Sequence, residues 1–266
     1  MFNSFPKATL VSTIAYSSLA VSALVGTTVS PVSAQTILDL ELSLLVDISG
    51  SIDELEYDLQ LEGYSQAFQN LSNFDFEPFA TNFVVWSGGN QQEELIGWTL
   101  ISDAQDALDF SNQILGLGRP GNSGTAPGNA ILAAREGTAS VTGIFENQFE
   151  GNRLVFDVSG DGSPSSLGGG IPTATQRDLS QQAGITINGL AILSDDPSVV
   201  SFYQNSVITS DGFFVLANDF TDFSDAVTNK IQREVINEPQ VKVPEPTSLL
   251  GLLAFGGLTL AIRRKN

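Results

Sequence analysis

Leu40 to Val46 forms an apolar run, LELSLLV, that ends abruptly at Asp47 and predicts a buried strand. From Ser51 the apolar positions open out to helical spacing. Ile52, Leu55, Leu59, Gly63, Ala67 and Leu71 share one face, and Asp53 and Glu54 suit the positive end of a helix there. Further on, 79–86 and 94–100 read as strands joined by the polar turn SGGNQQ, and 103–115 as a helix. The loop GLGRPGNSGTAPGN leads into a helix predicted from Ala130 to about Phe145. A strand over 153–158 runs into a second Gly/Ser/Pro loop, SGDGSPSSLGGGIP. The pattern continues with a helix over 173–183, a strand over 185–192, a helix over 198–207, a short strand over 212–217 and a last helix over 219–235.

Strands that alternate with helices predict an α/β fold: a doubly wound, mostly parallel central sheet flanked by helices. Such sheets bind ligands beyond the carboxyl ends of their strands. Polar, flexible residues do gather just after Val46 and just after Val158.

Composition narrows the chemistry. The 266 residues contain no Cys and no His. That excludes disulfides, thiolate sites, a Ser-His-Asp triad and His-ligated zinc. Oxygen donors remain, and they suit hard cations. Between 35 and 243 the sequence holds 29 acidic against 7 basic side chains, a net of −22. Such a surface repels phosphate backbones, so nucleic acid is not an expected partner.

Both ends read as addresses. Residues 1–34 have Lys7 as their one charged side chain, then a stretch of apolar and small residues. Pro31-Val32-Ser33-Ala34 before Gln35 suits signal-peptide cleavage. At the other end, after a linker over 238–243, Pro244-Glu245-Pro246 is followed by 16 uncharged residues, Thr247 to Ile262, and by Arg263, Arg264 and Lys265. The run spans roughly 24 Å at 1.5 Å per residue, slightly short for a bilayer core. This order resembles the PEP-CTERM sorting signal, which implies a transient anchor processed by an exosortase. The expected localisation is outside the cytoplasm, at the cell envelope or surface, with membrane contact only through the segment 244–266.

Asp47-Ile48-Ser49-Gly50-Ser51 is a D-x-S-x-S motif at a strand-to-helix turn. Two more oxygen-bearing loops follow, at Gly124-Thr125 and Asp161-Gly162. By itself the motif could be no more than a helix cap. Together the three loops resemble the metal-ion-dependent adhesion site of von Willebrand factor A (vWA) domains. WSGG at 86–89, GWTLI at 97–101, FDVSGDG at 156–162 and GITINGLAI at 184–192 extend the resemblance to a bacterial A-domain family of unknown function. It places a vWA domain over 36–237.

The resemblance implies a Mg²⁺ site (or Mn²⁺ or Ca²⁺) built from Asp47, Ser49, Ser51, Thr125 and Asp161. The serines bind the ion directly, Thr125 directly or through water, and the two aspartates from behind. Neutral hydroxyls leave the ion most of its charge, so an open position attracts a carboxylate from a protein or matrix partner. Adhesion is the expected function, with no catalysis. The alternative is a structural surface or biofilm-matrix component near exopolysaccharide, with the metal only stabilising it. A glycosidase-like use of paired carboxylates has no specific support. Elsewhere, Asp157 reads as a structural hydrogen-bonding carboxylate and Asp195-Asp196-Pro197 as a turn and cap. Trp86 and Trp98 read as core or sheet-face aromatics, and 163–170 as a solvated loop or part of a ligand surface.

Overall fold

The computed structural model of the chain describes residues 36–165, 169–194 and 197–236. The expected leader over 1–34, the linker over 238–243, the sorting segment over 244–266 and the pair Asp195-Asp196 therefore lie outside the described residues. No helix among the described residues is long and apolar enough to cross a membrane.

Six strands form one sheet: β1 (Thr36–Asp47), β2 (Phe79–Trp86), β3 (Gln92–Ile101), β4 (Phe149–Gly160), β5 (Ile185–Ile192) and β6 (Phe214–Ala217). Their order is β3-β2-β1-β4-β5-β6. All neighbours are parallel except β2 and β3, which the SGGNQQ turn joins as an antiparallel hairpin. The helices are α1 (Glu54–Leu71), α2 (Ala104–Leu115), α3 (Pro127–Glu136), α4 (Thr173–Gln182), α5 (Ser198–Phe202) and α6 (Phe223–Ile236), with a π-helical turn over Tyr203–Val207 extending α5.

Strand alternation divides the core in two. Leu40, Leu42, Leu44 and Val46 of β1 face α1, α2 and α6, whereas Leu45 packs with α3, α5 and the π-turn. Chain direction reverses its winding at β1, which has β2 on one side and β4 on the other. The crevice between the carboxyl ends of β1 and β4 is therefore the place where such a sheet opens to a ligand.

Three expectations are corrected. The helix after the first strand starts at Glu54 rather than Ser51. Asp53 caps it, accepting from Glu56 N–H at 2.9 Å while Glu56 Oε2 accepts from Asp53 N–H at 2.7 Å. Its buried face runs through Tyr57, Leu61, Tyr64, Phe68 and Leu71, which leaves Leu55 68% exposed. The helix predicted to reach Phe145 ends at Glu136. Gly137 takes φ +76° and the chain folds back, so Val141 and Ile144 enter the core from a turn.

Asp157 is a structural carboxylate, but its main partner is an ion. Lys230 Nζ on α6 lies 2.7 Å from Asp157 Oδ2 and 2.7 Å from Glu234 Oε1, all three side chains having no exposed surface. Asn188 donates to Glu234 at 2.8 Å, and Tyr64 donates to Ser159 at 3.1 Å beside Asp157. One cation serves two carboxylates. Burial raises the Glu234 carboxyl, Lys230 pulls it back and Asp157 raises it again, leaving it at about 7.

Because the folded state holds the Glu234 proton above the ordinary value of 4.5, this group favours folding most below pH 4.5. That contribution is lost as pH rises through about 7. The Glu234→Gln protein should lack this slope, which is at most about 1.4 kcal/mol per pH unit. Urea unfolding of both proteins across the window checks it. Lys230→Met should cost about 3–5 kcal/mol, since it leaves buried carboxylate without its cation.

Candidate metal centre

The site starts from the register of two strands. Val46 lies opposite Ser159, so the next residues along, Asp47 and Gly160, leave the sheet side by side. Asp161 follows immediately. Two carboxylates are thereby delivered to the carboxyl-end crevice, Asp47 without exposed surface and Asp161 2% exposed.

The turn after β1 wraps around them. Asp47 Oδ1 accepts the Ser49 N–H at 2.7 Å. Ser49 Oγ is 3.3 Å from Ser51 Oγ, and Ser51 donates to Asp161 Oδ1 at 2.7 Å. Burial grades outward, from Asp47 and Ser49 in the interior to Ser51 at the surface. The late start of α1 matters here, because Ser51 stays outside the helix with its hydroxyl turned to Asp161.

Thr125 reaches the same place through its backbone. Its N–H donates to Ser165 Oγ at 3.1 Å and its carbonyl accepts from Ser165 N–H at 3.1 Å. Its methyl lies beside Gly162, 3.8 Å from where a side chain there would begin. The loop carrying it is tied to the first turn by the Gly50 N–H, which donates to Ser123 O at 2.9 Å. The structure thus brings all five predicted residues to one crevice, four of them in one hydrogen-bonded chain and Thr125 alongside.

Several residues of the site carry no motif. Arg119 Nη2 donates to the carbonyls of Ile48 and Ser49, at 3.3 and 3.4 Å, and to that of Ile52, clamping the turn from behind. Gln60 donates to Asp47 O at 3.1 Å. Ser194, just past β5, donates to Asp161 Oδ2 at 3.2 Å. A polar residue directly after a strand end was the available signal for Ser194; Arg119 and Gln60 gave none.

The electrostatics are one-sided. Burial, then the Asp161 charge, push the Asp47 carboxyl well above its ordinary range. The Ser49 amide and hydroxyl and the Asp161 amide only partly oppose them. Asp47 Oδ2 is buried without a partner in hydrogen-bonding geometry. Tyr203 is also wholly buried, and burial followed by Asp47, Asp161 and Asp157 holds its hydroxyl well above the ordinary value. Among the described residues no group of three or more His, Cys, Asp or Glu is arranged to hold a metal. An ion at this crevice would therefore rest on hydroxyls backed by two carboxylates, a donor set that suits a hard divalent cation.

Residues 37–239 match a family model described as "Protein of unknown function (DUF1194)". The chain belongs to this family. Residues 242–265 match the PEP-CTERM protein-sorting motif. No curated protein matches the chain. Among solved structures it is similar to proximal thread matrix protein 1 from the mussel byssus, at 15% identity and TM-score 0.55, over 77% of this chain and 47% of that one. A form of that protein with a zinc-occupied MIDAS motif aligns at 14% identity and TM-score 0.53, over 75% and 47%. The pilus adhesin SpaC from Lactobacillus rhamnosus GG aligns at 13% identity and TM-score 0.51, over 77% and 32%. The DUF1194 chain thus spans about half or less of these proteins. At such identities the likeness shows the fold, which is the vWA-like α/β fold expected.

Removing the clamp should loosen the turn without touching the carboxylates. Arg119→Ala should cost about 1–3 kcal/mol, because three carbonyls lose a charged donor. Hydrogen exchange should quicken at 48–52 before it does in the sheet.

Proposed function

We propose that this DUF1194 protein is an exported binding module that takes a carboxylate-bearing protein or matrix ligand through a divalent cation, Mg²⁺ or alternatively Mn²⁺ or Ca²⁺. The observation that carries the reading is the pairing of Asp47 with Asp161 in a water-poor crevice, with Asp47 Oδ2 left unpartnered. Buried carboxylates that repel each other are costly unless a cation compensates them. Asp47 is in none of the ion pairs among the described residues.

Each residue has a role that follows from its position. Ser49 and Ser51 would present hydroxyl oxygens to the ion, and Thr125 would add a third from the facing loop. Asp47 and Asp161 stand behind them and orient the hydroxyl protons, as Asp161 already does for Ser51. Seated there, the ion would supply a positive charge with an open coordination position. Three neutral hydroxyls leave that charge uncancelled, which favours an anionic ligand at the mouth. Ser51, at the surface, marks where that ligand would enter.

The sorting motif supports export and surface display. We propose a leader over 1–34, a binding domain over 36–237, a linker over 238–243 and a sorting segment over 244–266 handled by an exosortase. On this reading the chain does no catalysis.

Mg²⁺ or Mn²⁺, added at matched ionic strength, should raise the melting temperature of the purified protein. The gain grows with the logarithm of concentration, reaching about 2.7 kcal/mol at 100 times Kd. Asp47→Ala should abolish the shift. An equal shift in that variant would assign the effect to the acidic surface and sink the proposal. Capture of ligand from envelope extract should fail in chelator and return with the metal, and Thr125→Ala should weaken it in a folded protein.

A further inference from the structure

Tyr203 opens the π-helical turn after α5, on the far side of β4 and β5 from α1. Its ring and hydroxyl occupy a slot that two glycines keep clear. A side chain at Gly189 of β5 would begin 2.8 Å from the ring carbon Cδ1. A side chain at Gly160 of β4 would begin 2.9 Å from the tyrosine hydroxyl. That same point at Gly160 lies 2.5 Å from Asp47 Oδ2. Neighbouring strands have thus each given up a side chain, and the result is to lay a phenol against the rear of the Asp47 carboxylate.

The two polar atoms that meet there are both unsatisfied. The Tyr203 hydroxyl and Asp47 Oδ2 are buried, and neither has a partner in hydrogen-bonding geometry, although the Asp161 amide and the Ser49 hydroxyl lie close enough to favour the Asp47 charge. One is a donor and the other an acceptor, and both lie within 2.9 Å of one point beside Gly160, inside the span of a single bridging water. Buried hydroxyls are ordinarily bonded, so a phenol held idle by two glycines needs an explanation. An apolar ring of the same shape would fill the slot without the penalty. π-turns are rare and recur at functional sites, which fits a local distortion kept for placing one side chain.

We propose that Tyr203 is a positioning residue of the metal centre: its hydroxyl donates to Asp47 Oδ2, directly or through one water, and fixes the carboxylate in the orientation that the seated ion requires. This rests on the metal-binding reading above. Asp47 is held at Oδ1 by the Ser49 amide. A second tether at Oδ2 would stop rotation about its last bond and keep both oxygens facing their assigned partners. Tyr203 touches neither the ion nor the ligand in this scheme.

The test is Tyr203→Phe beside wild type, with Mg²⁺ and Mn²⁺ titrated by calorimetry and thermal unfolding followed in chelator and in saturating metal. In chelator the variant should melt at or above the wild-type temperature, because the hydroxyl takes up its bond to Asp47 only when the ion is seated and is otherwise a buried group without a partner. With metal it should bind roughly ten- to a hundred-fold more weakly, the worth of one hydrogen bond to a charged group. The metal-induced rise in melting temperature should shrink accordingly. A residue that only fills space would leave the metal increment and the metal affinity unchanged in Tyr203→Phe, since the phenylalanine ring fills the same slot. Gly160→Ala, which drives a methyl between the two groups, should weaken metal binding further. Wild-type protein that binds neither ion would overturn the reading of the site itself. Wild type that binds while Tyr203→Phe binds equally tightly would overturn the role of the tyrosine alone.

Discussion

Two negative charges brought together at the end of a sheet are the constraint around which this fold is arranged. Asp47 and Asp161 arrive at the crevice because β1 and β4 are neighbours in register, and the chain cannot form that pairing without delivering them. Their repulsion, sharpened by burial, must be offset by something. The turn at 48–52, the Arg119 clamp, the Ser123 contact and the late start of α1 all hold hydroxyls and amides against this pair. None of these groups is a cation placed on Asp47.

The same sheet contains a second crowding of carboxylates and treats it differently. Asp157 stands four residues before Asp161 on β4, with Glu234 nearby on α6, and both meet Lys230 at 2.7 Å. There the chain carries its own counter-charge, sealed from solvent. At the crevice it carries hydroxyls, graded from buried Ser49 to exposed Ser51. A protein able to neutralise one acidic cluster internally, and leaving the other to hydroxyls at an open mouth, has separated a structural cluster from a binding one. Both clusters draw an acid from β4 or its carboxyl end, Asp157 within the strand and Asp161 just past it.

Much of this was legible in the sequence where chemistry and periodicity coincide. An apolar run stopping at Asp47, followed by Ser-Gly-Ser and helical spacing, marks a strand, a turn and a helix with oxygen donors at the joint. Asp161 after its own strand and Thr125 in a glycine-rich loop follow the same logic. Other features turn on contacts that no local pattern encodes. The helix expected past Glu136 failed because Gly137 reverses the chain, and Val141 and Ile144 supply apolar positions that mimic continued helical spacing. Leu55 follows the spacing but not the rotation that Tyr57, Leu61 and Tyr64 impose. Arg119 meets Ile48 across 71 residues of sequence and Gln60 meets Asp47 across 13, and Lys230 reads as an ordinary helix lysine until α6 is docked on β4.

The placement of the chain ends bears on how such a site could be displayed. Arg153, near the start of β4, donates to the carbonyl of Glu234 at 2.9 Å, so the last turn of α6 lies at the amino end of that strand. Asp161 lies just past its other end. From Arg153 to Gly160 the strand rises roughly 23 Å, at about 3.3 Å per residue. β1 runs parallel to β4 and enters at Thr36, level with Phe149, at the same pole as the end of α6. The described chain therefore begins and ends at the pole opposite the crevice. The sorting motif matched over 242–265 follows α6 by only a few residues. A domain tethered through that segment would turn its crevice away from the point of attachment. This polarity comes from the parallel sheet itself: strands that carry the acids to one end oblige the returning helices to bring the chain back to the other.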